Sequence, residues 1–487
     1  MASQNPLEFP YWNPFGSFTG ADPLEWWRGG YEWLRCSARL QEMWLERFST
    51  PSERQTRRAA RLSALLAHAR AHSPYLARHW QGIPVDAPLQ ALPPTGKAAL
   101  MAHFDDWVTD PTIHLRDVRR FVDDPARIGE SWLGRFAVWT SSGTSGIPGI
   151  FIQDEEALAV YGALLSARLS SAPGADPQAL TLMPQRFALV AATGGHFAGL
   201  VWWERLRRRY PMLAAQMRVF SILAPLDEIR AGLAEWNPAS IASYPTVLRQ
   251  LADEQRAGRL RIAPHTLWSG GEMLSDTDRR FIEESFGCAV VEDYGASECL
   301  NIAHACRERR LHLHDNWVVL EPVDAQMRPV APGEASHTVL VTNLANRVQP
   351  IVRYDLGDSV TIDPDPCPCG NPCPTMRVGG RADDMLEFRD SGGQCVRVLP
   401  LAIETVLEEQ CSVPRFQLTQ TAHDELHLRI DSEDALARLL AFERAHDALL
   451  RFLVNQGATA PIRLHLDEGT PETERASGKL RRIRAAR

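Results

Sequence analysis

Between about residues 135 and 300 the chain alternates two patterns, and this alternation restricts the fold more than any other feature. Short apolar runs, RFAVWTSS, FALVAAT, MRVFSIL, ASIASYPT, HTLWSGG and CAVVEDYG, are each bounded by Gly, Ser, Pro or Asp, and helical patterns fill the gaps. Strands separated by helices predict an α/β fold, with a mostly parallel sheet and helices on its faces. Residues 310–362 read differently. LHLHDNWVVLEPVD, HTVLVTNLAN and QPIVRYDLGDSV are strand-like, with turn signals such as VAPGEA between them. They predict an antiparallel or barrel-like subdomain. After GGRADDMLEF (379–388) a shorter series of helix, strand, helix and strand fits a small α+β domain.

A chain of 487 residues is too long for a single core. The expected division is a helical extension over 1–80, a large domain over 81–380 and a C-terminal domain over 381–487. The first 50 residues hold Trp12, Trp26, Trp27, Trp33 and Trp44. They read as an aromatic-anchored helical extension packed on the main body, with a membrane or partner surface as the alternative. Residues 52–80 are helical, with a basic face that reads as solvated surface.

Charge and cysteine usage exclude several classes. Fifty-two basic and 60 acidic residues give a net charge of -8, which does not advertise nucleic-acid or membrane binding. No apolar run approaches the roughly 20 residues needed to span a bilayer. The N-terminus shows no basic region followed by an apolar stretch, so no signal peptide is expected. Nine cysteines, an odd number spread unevenly, argue against a disulfide framework and for the cytoplasm.

Five motifs carry chemistry. Thr140-Ser141-Ser142-Gly143-Thr144-Ser145-Gly146 follows RFAVW. Its hydroxyls and glycines can offer donors to phosphate oxygens, although a plain Ser/Gly turn has the same composition, and no Lys makes it a Walker loop. Tyr294-Gly295-Ala296-Ser297-Glu298 follows the strand-like VVED, where a Glu can hold Mg2+. Arg353-Tyr354-Asp355-Leu356-Gly357-Asp358 ends another strand, where a carboxylate can accept both ribose hydroxyls. Gly379-Gly380-Arg381-Ala382-Asp383-Asp384 sits at a change of composition, and Ser477-Gly478-Lys479 lies near the C-terminus.

In this order the five motifs resemble those of the adenylate-forming superfamily of acyl-CoA synthetases, adenylation domains and luciferases. The detail is most similar to phenylacetate–CoA ligases: SSGTSG-x-P, VRYDLGD, a CPCG element and GRADDMLEF. The resemblance covers about residues 90–487. It departs in two places: Pro148-Gly149 stands where many superfamily members have Pro-Lys, a Lys that phenylacetate–CoA ligases also lack, and the first 80 or so residues carry none of the family's motifs.

The resemblance implies roles by position. Residues 140–146 would grip the β- and γ-phosphates. Ser269, Gly270, Gly271, Glu272, Asp293, Tyr294 and Gly295 would line the adenine and acyl pockets, with Ala296 beside the acid. Glu298 would bind Mg2+. Asp358, helped by Arg381, would hold the ribose, Asp383 would be the hinge of a mobile 381–487 lid, and Lys479 would bridge the acid carboxylate and the α-phosphate. Gly195, His196, Phe197 and Tyr244 occupy acid-lining places. Phe197 and Tyr244 are equally readable as core aromatics, and His196 as an interior histidine.

Cys306, His312, Cys367 and Cys369 suit a closed tetrahedral Zn2+ site of structural type, with reduced surface thiols as the alternative. Cys373, Cys299, His304 and His314 are competing ligands, and similar clusters occur among the resembling ligases. The expected reaction is acid plus ATP giving acyl-AMP and pyrophosphate, then acyl transfer to coenzyme A, with an aromatic acid favoured. The alternatives are transfer to a carrier-protein thiol or an amine, and a non-catalytic scaffold. The oligomeric state stays open, a dimer included.

Overall fold

The computed structural model describes residues 23–46, 48–141, 148–169, 185–272, 274, 276–378, 386–398, 402–403, 406–407, 411, 413, 416–432, 434–472 and 483–485. Within these, the alternating region forms the expected parallel strands. β1 (Ala137–Thr140) and β2 (Ile150–Gln153) make an antiparallel hairpin. β3 (Phe187–Ala191), β4 (Met217–Ser221), β5 (Ser240–Ser243), β6 (Thr266–Ser269) and β7 (Ala289–Ala296) then run parallel. Helices Ala198–Arg209, Leu226–Trp236, Pro245–Arg256 and Asp276–Phe286 connect them. β3, β5 and β6 lack polar alternation because helices cover both faces of a parallel sheet. Local signals set the helix ends. Pro245 opens one helix, where the first turn needs no amide donor, and Asn237 closes another at φ 45°.

β8 (Cys299–Ala305) and β9 (Leu311–Leu313) continue the sheet antiparallel. β10 (Val318–Val323), β11 (Thr338–Asn343) and β12 (Tyr354–Asp355) form a separate antiparallel sheet. β13 (Val360–Ile362) and β14 (Thr375–Val378) return to the large sheet, whose order is β13-β14-β9-β8-β7-β6-β5-β3-β4. The barrel-like subdomain expected over 310–362 is therefore corrected: no closed barrel forms among the described residues. β12 has only two residues, and β13 pairs with β14 instead of closing on β10. Closure needs a staggered register around every strand, which alternation alone does not encode.

β15 (Leu386–Arg389) and β16 (Cys395–Val398) form a hairpin. β17 (Phe416–Ala422), β18 (Glu425–Ile430), β19 (Arg463–Leu466) and β20 (Ile483–Ala485) form a four-stranded sheet beside helix Ala435–Asn455. Phe388, Phe416, Leu426 and Leu449 of this region share one buried cluster with Ile241, Leu251 and Leu267 of the larger region. Gln456 Nε2 donates to the Ala224 carbonyl at 2.9 Å across the same boundary.

Near the N-terminus, helices Pro23–Glu46 and Pro51–His72 are joined by Arg61, which pairs with Glu42 and Glu46. Thr50 and Glu53 make a capping box at the second helix. The Arg61 guanidinium lies 3.9 Å from the Trp317 ring centroid, so a cation–π contact ties the extension to the main body. Trp33 and Trp44 are 60% and 55% exposed.

Candidate active site

The strand register collects the functional segments. Val190 pairs with Ser243, Ser243 with Ser269, and Ser269 with Glu292. β3, β5, β6 and β7 therefore reach one line together, and in open α/β sheets ligands bind beyond the carboxyl ends of the strands. Residues 192–197, Tyr244, residues 270–272 and the Asp293–Tyr294 end of β7 all lie past that line. Gly271 has φ +84°, and a Cβ there would sit 3.2 Å from the Tyr244 ring. Glycine thus lets the 269–272 loop lie against the aromatic face. The Ala192 amide donates to the Tyr244 hydroxyl at 3.4 Å, and burial pushes the Tyr244 phenol up to about 12. Ser269 is buried, while Glu272 is partly buried.

Gly295 has no room for any side chain, because a Cβ would fall 1.9 Å from the Leu300 carbonyl oxygen. The register shifts between Tyr294 and Ala296, and Ala296 pairs with Cys299 across the turn. This turn aims Tyr294 at Asp358: the Tyr294 hydroxyl donates to Asp358 Oδ2 at 3.0 Å. On the other side, the Tyr354 hydroxyl donates to Glu298 Oε1 at 2.6 Å. Glu298 is buried, and Asn343 Nδ2 donates to its carbonyl at 3.3 Å. The YGASE and RYDLGD motifs are therefore cross-linked twice, by two tyrosine hydroxyls on two carboxylates. Tyr354 had no assigned role in the sequence, although its motif was visible. Arg353 is a structural latch: at φ 48° it pairs with Glu321 at 3.1 Å and donates to the Gln90 carbonyl at 3.0 Å.

The Ser/Gly-rich loop joins β1 to β2, and both of its ends are fixed. The Ser141 amide donates to the Gly149 carbonyl at 2.9 Å, and the Gly149 amide donates to Ser141 Oγ at 3.0 Å. The Thr140 amide donates to the His196 carbonyl at 2.7 Å, and Trp139 Nε1 donates to the Ser297 carbonyl at 2.7 Å. The loop ends thus sit between the 193–197 segment and the YGASE turn. Ser142, Gly143, Thr144, Ser145 and Gly146 lie outside the described residues, as do Arg381, Asp383 and Lys479.

Among the acid-lining candidates, His196 is interior. It is 1% exposed, its Nε2 lies 3.1 Å from the Asp124 carbonyl, and burial depresses its basicity. Its ring meets Phe121 edge-on at 5.1 Å, and its position follows Gly195, whose carbonyl accepts from the Phe197 amide at 2.8 Å. Phe197 and Tyr244 are partly buried and touch both hydrophobic clusters.

A charged pair that the sequence did not reveal borders the same line. Arg168, at the end of helix Glu155–Leu169, forms a salt bridge with Asp293, with the two side chains 11% and 24% exposed. The Arg168 guanidinium covers the Trp268 ring at 4.2 Å. Burial drags its pKa down to about 9, which leaves it protonated at neutral pH. Behind this pair, His304 and His314 stack at 4.8 Å with Nδ1 and Nε2 3.3 Å apart, and burial holds His304 down at about 4. Asp293 pairs with His304, and His304 with His312, so the three occupy one row across β7, β8 and β9.

That row ends at the thiol cluster. The ligating atoms of Cys306, His312, Cys367 and Cys369 all lie within 4.8 Å of one another. Cys306 Sγ and Cys367 Sγ are 3.7 Å apart, and Cys369 Sγ is 3.3 Å from His312 Nε2. A tetrahedron with Zn–S bonds of 2.3 Å has S···S edges of about 3.8 Å. His312 Nδ1 lies 3.0 Å from the Cys373 carbonyl, an arrangement that fixes the proton on Nδ1 and turns the Nε2 lone pair toward the thiols. The competing ligands stand elsewhere. Cys373 Sγ is 3.9 Å from Arg54, Cys299 is buried at the start of β8, and His304 and His314 engage each other.

No family model matches the chain. It is 28% identical to phenylacetate-coenzyme A ligase of Pseudomonas putida over 266 residues, which is 51% of this chain and 56% of that protein. It is 24% identical to protein CapK of Staphylococcus aureus over 171 residues, 33% of this chain and 35% of that one. The alignments thus span about half and a third of these relatives. Among solved structures, 2-hydroxyisobutyryl-CoA ligase with 2-HIB-AMP and CoA in the thioesterification state is 22% identical, with a TM-score of 0.57. That match covers 90% of this chain and 91% of that one. The same ligase in its postadenylation state gives 0.53 at 21% identity, covering 91% of each. The fold is therefore that of these ligases.

Proposed function

We propose, from the premise that the chain belongs to the adenylate-forming superfamily, that it is an ATP-dependent ligase. It would join a carboxylic acid to AMP with release of pyrophosphate, then transfer the acyl group to coenzyme A. An aromatic acid is favoured by the similarity to phenylacetate-coenzyme A ligase. The observation that carries the reading is the double tyrosine cross-link: Tyr294 on Asp358 and Tyr354 on Glu298, set beside the anchored ends of the β1–β2 loop. In this reading Asp358 as the ribose carboxylate, Glu298 as the ion carboxylate and the ends of the phosphate loop would lie side by side.

The step itself explains the residue types. A carboxylate attacking an α-phosphate brings two anions together, so preorganised positive charge must meet the developing charge. Lys479 would supply it at the reacting carboxylate. Residues 140–146 would hold the β- and γ-phosphates, Asp358 with Arg381 the ribose, and the 381–487 lid would turn about Asp383. Glu298 suits Mg2+ because it is a carboxylate whose one oxygen is already oriented by the Tyr354 hydroxyl. Bound there, Mg2+ would neutralise phosphate charge. Cys306, His312, Cys367 and Cys369 suit Zn2+ by donor chemistry and spacing, and a closed four-ligand set is structural. Cytoplasmic residence fits nine unpaired thiols. No described helix is long and apolar enough to cross a membrane.

The test is ATP–pyrophosphate exchange across a panel of carboxylic acids, followed by addition of coenzyme A. Acid-dependent exchange and release of a free thioester are expected. Exchange without thioester would favour a carrier thiol or an amine as acceptor, and no exchange with any acid would overturn the reading.

A further inference from the structure

The Arg168–Asp293 pair is difficult to explain as scaffolding. Taking both charges out of water costs about as much as their attraction returns, and apolar side chains of similar volume often serve stability as well. Yet this pair stands at the carboxyl edge of the sheet, where ligands bind. It is also asymmetric. Arg168 lies deeper, 11% exposed and covered by the Trp268 ring at 4.2 Å, while Asp293 is 24% exposed. Asp293 adjoins the 269–272 loop: a Cβ on Gly270 would touch its carbonyl oxygen at 3.6 Å and its own Cβ at 3.8 Å. Tyr294, one residue on, holds Asp358. The arrangement is a deep cation paired with a more exposed carboxylate that adjoins Gly270, next to Gly271 and the Tyr244 ring.

We propose that Asp293, positioned by Arg168 and Trp268, selects a carboxylic acid that carries a hydroxyl or amino hydrogen-bond donor on its body. This rests on the adenylation reading and narrows its substrate class. A carboxylate backed by a guanidinium accepts from a donor without needing a further counter-charge. An acid lacking the donor would strip water from Asp293 and return no hydrogen bond. Sites built to bond a substrate hydroxyl or amine reject the analogue without it far more strongly than apolar pockets discriminate by size.

The full-length protein would be assayed by ATP–pyrophosphate exchange with matched acids: benzoate against 4-hydroxy- and 4-aminobenzoate, their 3-substituted isomers, and phenylacetate against 4-hydroxyphenylacetate. At least one donor-bearing acid should exceed its parent in kcat/KM by roughly 10- to 100-fold, the range of one hydrogen bond to a charged group. In the double variant Arg168→Met/Asp293→Leu that ratio should fall to about one or below. The double change avoids stranding a buried guanidinium, and its melting temperature reports whether it folds. Asp293→Asn, which keeps the shape, should lower the ratio in the same direction. A wild-type ratio near one for every matched pair overturns the proposal, as does a double variant that keeps the wild-type preference. A raised KM for ATP with an unchanged acid ratio also overturns it, because Asp293 would then be reading the adenine amino group. If no acid supports exchange, the adenylation reading itself falls. Exchange confined to unsubstituted acids removes only the present inference.

Discussion

Losing one thiol from the Cys306–His312–Cys367–Cys369 cluster should cost the protein about 4 kcal/mol. Cys306 and Cys367 are separated by 61 residues, and their sulfurs are 3.7 Å apart. A cross-link closing a loop of that length removes about 4 kcal/mol of unfolded-chain entropy in the loop-closure treatment used for disulfides. Mass action gives a similar figure: free Zn2+ at about 1,000 times its dissociation constant stabilises the folded state by about 4 kcal/mol. For a chain of 487 residues that corresponds to a fall in melting temperature of about 4 °C. The perturbation is Cys367→Ser, compared with wild-type protein purified without chelator and with protein treated with a strong chelator. Metal analysis should find about one Zn2+ per wild-type chain and much less in the variant. Calorimetry should show the loss in both the variant and the chelated protein, restored by Zn2+ only in the latter. Wild-type protein free of metal, melting at the same temperature as Cys367→Ser, would refute the reasoning.

Four further outcomes are expected. Tyr354→Phe leaves a buried Glu298 oxygen without its donor and should cost about 1–3 kcal/mol in urea unfolding, with slower adenylation; unchanged values in both would count against the cross-link. Gly295→Ala places a methyl 1.9 Å from the Leu300 carbonyl and should destabilise by about 3 kcal/mol or more or prevent soluble expression, whereas a normal melting curve would show that the turn relaxes. Lys479→Ala should abolish acid-dependent pyrophosphate exchange with little change in melting temperature, and wild-type exchange would remove Lys479 from the reaction. Asp383→Pro should keep single-turnover pyrophosphate release and lose transfer to coenzyme A; equal loss of both, with ATP still bound, would mean the pivot lies elsewhere.

What the sequence disclosed, and what it withheld, follows the range of the interactions. Strands β3 to β7 were legible because continuous apolar runs between turn residues report local burial. The four cluster ligands were legible because thiol and imidazole chemistry is distinctive even across 61 residues. The Arg168–Asp293 pair was not, since the partners are 125 residues apart and neither departs locally from a helix end or a strand end. Tyr354 belonged to a visible motif, but its bond to Glu298 depends on how β12 meets the YGASE turn. The barrel-like expectation failed for a related reason: the strands were present, while their pairing partners are a global property.

The shared row of Asp293, His304 and His312 has a consequence for assembly of the sheet. Slipping one strand by a single residue turns its side chains to the opposite face. A one-residue slip of β9 along β8 would swing His312 away from Cys367 and Cys369 and break its alignment with His304. The four-cornered ligand set is therefore complete only when β9 lies in its native register on β8.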